Sequence, residues 1–462
     1  MTVTRLGCAA AVFTTAVMWS CAPALAISPP VVDPGVKPPS GAPGPVQPVE
    51  RRAECSSSAV MPGTDPGVTT PNQVMLNLPA AWRLSRGEGQ LVAIIDTGVR
   101  PGPRLPNVVP GGDYVETTDG LTDCDGHGTL VAGLVAGQPG DDGFSGVAPA
   151  AQVLSLRAAS GKFMPKIAGG DPMLAQASAD VAALARAIVH AADRGARVIN
   201  ISTVTCLPAD RGVNQAELGA AIRYAAVDKD AVIVAAAGNT GTTGSFGGAT
   251  PCESNPLTDL SRPDDPRNWS GVTSVSIPSW WQPYVLSVAS LTPEAQPSKF
   301  TMVGPWVGIA APGENIVSVS NRDDGGLANA LPNDKQQLVP LNGTSYAAGY
   351  VAGVAALVRS KYPQLTAAQV VQRITATAHN AARAPSNLVG AGTVDPVAAL
   401  TWELPASGDS HAPAVKQLAA PSEPAPKDPT PRVVAFTGTA VLALVVVVVA
   451  AIAAHRRKEP TP

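Results

Sequence analysis

Three short words carry side chains that could do chemistry together, in the chain order Asp, His, Ser: Asp96-Thr97-Gly98, His127-Gly128-Thr129 and Gly343-Thr344-Ser345. Acyl transfer needs a hydroxyl nucleophile, an imidazole to take its proton and a carboxylate to hold the imidazole tautomer. Each word alone is weak. D-T-G also marks aspartic proteases, but those need two such carboxylates, and no second D-[ST]-G occurs. H-G-T is an ordinary helix start, and G-T-S an ordinary N-cap. A fourth word, Gly238-Asn239, supplies a side-chain amide able to complete an oxyanion hole, worth roughly 3 to 4 kcal/mol to a transition state. Ser345 at a helix N-terminus would add its own N–H and feel the positive end of the helix dipole. Of five histidines, His190 and His379 fall in or near helical patterns, and His411 and His455 in polar or terminal segments. His127 is left as the general base.

Regular elements must deliver these groups. The run 90–96 (QLVAIID) reads as a buried strand ending on Asp96, and 127–137 (HGTLVAGLVAG) as a helix opening on His127. Residues 231–236 (AVIVAA) form a strand stopping just before Gly238-Asn239, and a helix over Thr344–Lys361 begins beside the hydroxyl. Further strands are expected at 152–157, 198–202, 285–288 and 307–310. Further helices are expected at 177–193 (stopped by Gly195), 214–227 and 366–378. Alternating strands and helices, with strands apolar throughout, predict an α/β fold: a doubly wound parallel sheet covered on both faces. In such sheets active sites gather at the carboxyl ends of the strands.

The 462 residues include 46 prolines and 44 glycines, and only 15% are charged, with a net charge of −3. The balanced charge, without a basic block, argues against a nucleic-acid partner. Eight prolines fall in 29–48 and seven in 405–431, marking two extended connectors around one large domain. Arg5, an apolar run over 6–19 and Ala24-Leu25-Ala26 form a secretory signal with cleavage expected after Ala26. Residues 433–454 carry no charge and, at about 1.5 Å per residue, would span a roughly 30 Å hydrocarbon core. Arg456, Arg457 and Lys458 then place the tail in the cytoplasm. The expected organisation is a signal (1–26), a Pro-rich arm (27–75), the catalytic domain (76–403), a Pro-rich linker (404–432), a transmembrane helix (433–454) and a tail (455–462). That is a single-pass type I protein of the cell membrane with its catalytic domain outside the cytoplasm. Removal of the signal leaves Cys55, Cys124, Cys206 and Cys252, enough for two disulfides with three connectivities open. No Cys/His group has zinc spacing, so neither a metal nor a cofactor is expected.

The order Asp96, His127, Asn239, Ser345, with its surrounding words, resembles the subtilisin-like serine proteases over about 80–400. The likeness includes Val198-Ile199-Asn200-Ile201-Ser202, Ala235-Ala236-Ala237-Gly238-Asn239, Ala311-Pro312-Gly313, Val351-Ala352-Gly353 and Gly390-Ala391-Gly392-Thr393-Val394-Asp395. The resemblance implies a catalytic triad of Asp96, His127 and Ser345. It also implies an oxyanion hole of Asn239 and Ser345, and substrate main chain pairing with Ser202, Thr203 and Val204 as an added strand. The chain departs from the family at Tyr346, and at Gly349, where proline is usual. Thr203-Val204-Thr205 replaces a Gly-rich edge, which implies a narrower channel. No acidic cluster marks a calcium site of the kind many subtilases carry, and calcium is left open. Signal, arm, protease domain, linker, spanning helix and basic tail together resemble the mycosins, membrane-anchored proteases of type VII secretion systems. That likeness implies protein substrates and channel subunits as partners. Two alternatives stand beside it, a structural stabiliser of the channel and a general cell-surface protease. In mycosins the arm wraps the domain and disulfides fasten it, which agrees with a preferred pairing of Cys55 with Cys124 and Cys206 with Cys252.

Overall fold

Val-, Ile- and Ala-rich runs, apolar on both faces, build a seven-stranded sheet in the computed structural model. The model describes residues 27–166, 171–241, 252–259, 261–262, 264–382, 384–404 and 430–456. The expected signal, most of the second Pro-rich linker and the last six residues lie outside the described residues. The strands are β1 (Leu91–Asp96), β2 (Val108–Asp113), β3 (Gln152–Arg157), β4 (Val198–Ile201), β5 (Val232–Ala236), β6 (Val285–Leu291) and β7 (Val307–Pro312). Their order across the sheet is β7-β6-β5-β4-β1-β3-β2, and every neighbouring pair is parallel. Val92, Ala93, Ile94 and Ile95 are wholly buried in the interior strand β1.

This order places the topological switch at β1. The chain runs from β1 to the edge strand β2 and back to β3 on one side, then crosses to β4 and continues to β7 on the other. A crevice opens at the carboxyl end of a strand where the winding reverses. Asp96 is the last residue of that strand.

Helices cover the sheet: α1 (His127–Ala136), α2 (Pro172–Asp193), α3 (Ala216–Arg223), α4 (Thr344–Lys361), α5 (Ala367–Ala376) and α6 (Pro396–Thr401). Every residue of α1 and all but the last two of α4 are buried, because the two apolar helices pack on each other as well as on the sheet. A Cβ on Gly349 would sit 3.4 Å from a Val131 methyl, an ordinary van der Waals contact. With glycine in place of the family's proline, α4 runs unbroken to Lys361.

Most expected elements lie where the patterns put them, and the exceptions have local causes. Helix α2 starts at Pro172 rather than 177, because Asp171 accepts from the backbone N–H groups of Met173 and Leu174 and proline follows it. The helix expected over 214–227 ends as α-helix at Arg223 and continues as a π-turn over Tyr224–Asp228. Strands β6 and β7 extend to Leu291 and Pro312, beyond the expected 288 and 310. Strand β2 has no counterpart among the expected strands: Pro110-Gly111-Gly112 breaks the apolar run, and its edge position tolerates the proline.

The arm is tied to the domain along its length. Tyr114 Oη donates to the Gly41 carbonyl at 2.8 Å, and Gly44 N–H donates to the Asp113 carbonyl at 2.7 Å. Val49–Arg51 pairs antiparallel with Phe163–Pro165. Cys55 is joined to Cys124, and Cys206 to Cys252. As a separate unit, α7 (Thr430–Arg456) contains a segment, Ala435–Ala454, with mean hydropathy 2.6, long and apolar enough to cross a membrane.

Candidate active site

The site is assembled from the ends of elements. Asp96 closes β1, His127 opens α1, Asn239 follows β5 and Ser345 is the second residue of α4. Gly126 precedes the histidine with φ +81°, a left-handed conformation suited to glycine. A Cβ there would also come within 3.1 Å of the Asn321 amide.

His127 bridges the other two groups. Its Nδ1 lies 2.7 Å from Asp96 Oδ1, and its Nε2 lies 2.9 Å from Ser345 Oγ. The carboxylate can only accept from Nδ1–H, which leaves Nε2 with a lone pair for the serine proton. Asp96 and His127 are essentially sealed from solvent, while Ser345 retains 6% exposure. Such a chain can activate the hydroxyl and stabilise the imidazolium that forms. Burial alone would disfavour the His127 cation. The charge and hydrogen bond of Asp96, with the charges of Asp123 and Asp125, outweigh it and raise the imidazole above its usual range.

The oxyanion side is equally constrained. Asn239 Oδ1 accepts from the Thr344 N–H and from Thr344 Oγ1, both at 2.9 Å. Thr344 Oγ1 in turn accepts from Gly238 N–H at 3.1 Å. With its oxygen so held, the Asn239 amide presents its NH2 beside Ser345. A Cβ built on Gly343 would lie 3.3 Å from Asn239 Nδ2 and 3.0 Å from Ser345 Oγ, so glycine clears the space between them. The Ser345 N–H belongs to the first turn, which the helix leaves without an acceptor. Two donors thus flank the Ser345 hydroxyl, an arrangement able to stabilise negative charge beside it.

Ser202, Thr203 and Val204 leave the end of β4 beside the nucleophile. Ser202 Oγ accepts from Asn200 Nδ2 at 2.7 Å and donates to the Ser345 carbonyl at 3.3 Å. Val204 is 9% exposed. Among the described residues, no group of three His, Cys, Asp or Glu is placed to hold a metal ion.

Comparison with known proteins identifies the framework. The Subtilase family model matches residues 87–392. Mycosin-3 of Mycobacterium tuberculosis (strain ATCC 25618 / H37Rv) is 71% identical over 456 residues, 98% of each chain. The chain belongs to the subtilase family, among the mycosins. The structure of MycP3 protease from the type VII (ESX-3) secretion system matches with TM-score 0.79 and 67% identity, covering 82% of this chain and all of that one. A chain in the intact ESX-5 inner membrane complex matches with TM-score 0.79 and 47% identity, over 93% of this chain and all of that one. The protein is therefore a subtilisin-like serine protease.

Several residues around this site escaped the sequence reading. Asp123 is buried and accepts five hydrogen bonds: from Thr97 Oγ1, the N–H groups of Asp125, Gly126 and Thr129, and Thr129 Oγ1. Burial raises its carboxyl to about 6 despite these donors. It clamps the loop that presents His127. Asp125 accepts from Ser160 Oγ and, at 2.9 Å, from Gly161 N–H. Asn321 ties this loop to the arm: its Nδ2 donates to the Asp123 carbonyl at 3.4 Å and to the Ser56 carbonyl at 3.0 Å, and its Oδ1 accepts from Ser58 N–H at 2.9 Å. Tyr346, one of the departures from the family pattern, packs its ring 5.3 Å from the His127 ring. The run Asp123-Cys124-Asp125-Gly126-His127 was the available signal: two acids and a bonded cysteine crowd one short loop.

Proposed function

We propose that this mycosin is an extracytoplasmic, membrane-anchored endopeptidase that processes proteins exported by a type VII secretion system. Asp96, His127 and Ser345 act as the triad, Asn239 and the Ser345 N–H stabilise the oxyanion, and Ser202–Val204 bind substrate main chain. The observation that carries this reading is the position of His127, 2.7 Å from Asp96 and 2.9 Å from Ser345. Ser345 would attack the scissile carbonyl as His127 takes its proton. The same imidazolium would then protonate the leaving amine, and a water molecule would release the acyl group by the reverse sequence.

The proposed organisation is a cleaved signal (1–26), an arm (27–75), the protease domain (76–403), a linker (404–432) and a single type I span (433–454). The apolar helix and the match to a chain of the ESX-5 inner membrane complex support the anchor and a partnership with channel subunits. They also support a second reading, in which the anchored domain stabilises the channel independently of catalysis. A fluorophosphonate probe should label the full-length protein at Ser345 and fail to label Ser345→Ala. Equal labelling of both would remove the catalytic assignment.

A further inference from the structure

One acid at the mouth of the crevice is unused by this chemistry. Asp180, in the third turn of α2, lines two adjoining hollows at the carboxyl edge of the sheet. The inner hollow lies between Ala158 and Ala159, which follow β3, and Thr203–Thr205, which follow β4. The outer one shares Ala158, Ala159 and Asp180 and is walled by Val46 and Gln47 of the arm.

This crevice is continuous with the edge along which substrate is proposed to lie. Ser202 touches Ser345, and the chain runs from there to Thr205. Three extended residues cover about 10 Å at roughly 3.3 Å each. A substrate strand paired along that edge would therefore bring its third or fourth residue from the scissile bond over Asp180.

The surroundings of Asp180 favour a cation. Its Oδ1 accepts from Gln176 Nε2 at 2.7 Å, and the Thr205 side chain is its second donor. Both donors are neutral, and among the described residues no Lys or Arg side chain forms an ion pair with it. Desolvation by the surrounding walls raises its carboxyl to about 7, because neutral donors do not offset the loss of water. A basic side chain from a substrate would supply the missing countercharge, with its aliphatic stem lying over Ala158, Ala159 and Leu184.

We propose that Asp180 is a specificity-determining residue that selects Lys or Arg three or four positions from the scissile bond, in a crevice whose outer wall is the N-terminal arm. The inference rests on the active site proposed at Ser345. If Asp180 served only to tie α2 to Thr205, changing its charge would alter stability but not substrate ranking.

The test uses the full-length, detergent-solubilised protein and internally quenched peptides carrying Lys, Arg, Leu or Ala at the third and fourth positions on either side of the bond. Wild type should cleave the best Lys or Arg peptide at least about tenfold better than its Leu counterpart, as kcat/KM, the scale of a hydrogen bond to a charged group. Asp180→Asn should bring that ratio to within about threefold, chiefly through KM, and Asp180→Glu should restore part of it. Fluorophosphonate labelling of Ser345 in each variant reports whether the site is folded. A wild type without basic preference, or a preference that persists in labelled Asp180→Asn, would overturn the proposal. Absence of labelling in wild type would overturn the underlying active-site assignment, and the specificity role with it.

Discussion

At the residue scale, the site is a set of hydrogen bonds with little freedom to rearrange, and its pH dependence follows from which form of His127 is active. In the proposed mechanism the neutral imidazole is the base, and neighbouring carboxylates favour the cation, so activity should be lost as pH falls through a value above the ordinary histidine pKa of about 6.5. Fluorophosphonate labelling rates measured against pH should show this midpoint, and a midpoint below 6.5 would contradict the assigned neighbours. Asp96→Asn would keep the shape but favour the wrong tautomer, and should reduce kcat by about 10⁴-fold. Thr344 offers a subtler test, since it orients Asn239 without facing the reacting carbonyl through its own donors. Thr344→Val should lower kcat by about tenfold or more with little change in KM, approaching the 10²- to 10³-fold loss on removal of an oxyanion donor. Thr344→Ser should restore most of it. A rise in KM at constant kcat would instead assign Thr344 to substrate binding. The four principal groups were legible as sequence words because each ends or opens a regular element. The support that Thr344 gives Asn239 and the role of Asn321 were not, because their partners lie 105 and 263 positions away and nothing local announces the pairing.

At the element scale, the arm and the loop carrying His127 behave as one structure. Cys55–Cys124 joins them across 69 positions, Ser56 N–H donates to the Cys124 carbonyl, and Asn321 bonds to both segments. In the chain-entropy model a loop of that size stabilises the folded state by roughly 4 kcal/mol. Cys55→Ser with Cys124→Ser should therefore lower the urea midpoint of the isolated full-length protein, and should slow Ser345 labelling because the linked segment presents His127. An unchanged midpoint would show that the arm is held by its other contacts alone. The sheet and its helices were readable because continuous apolar runs permit little besides buried parallel strands. The misread edges were β2, masked by Pro110-Gly111-Gly112, and the start of α2, where the Asp171 cap recruits a turn lacking a strong apolar period. The small hairpins Ser318–Val319 with Leu327–Ala328 and Ala330–Pro332 with Leu338–Pro340 gave no pattern, since two or three residues cannot show a period. Yet they carry Asn321 and the Ala330 backbone that accepts from Ala59 of the arm.

At the scale of the whole molecule, the two proposed functions can be tested apart because each is assigned to a different part of the chain. The proposed chemistry draws on the ends of β1, β5, α1 and α4, whereas Ala435–Ala454 belongs to a second unit. The match to a chain of the ESX-5 inner membrane complex extends over 93% of this chain, more than the 82% shared with the MycP3 protease structure. A role in the assembly carried by more than the catalytic residues is thus the reading to test. Ser345→Ala should abolish substrate cleavage while export of the same substrates continues, measured by immunoblot of culture supernatant and cell pellet. Deletion of 433–454 should abolish export. Replacing that segment with an unrelated apolar span of equal length separates tethering from recognition. Restored export would make the helix an anchor only, whereas continued failure would mean that its Val- and Ala-rich surface packs against partner helices, where small residues such as Gly438 permit close approach. Loss of export in Ser345→Ala itself would contradict the separation and make proteolysis the step on which secretion depends.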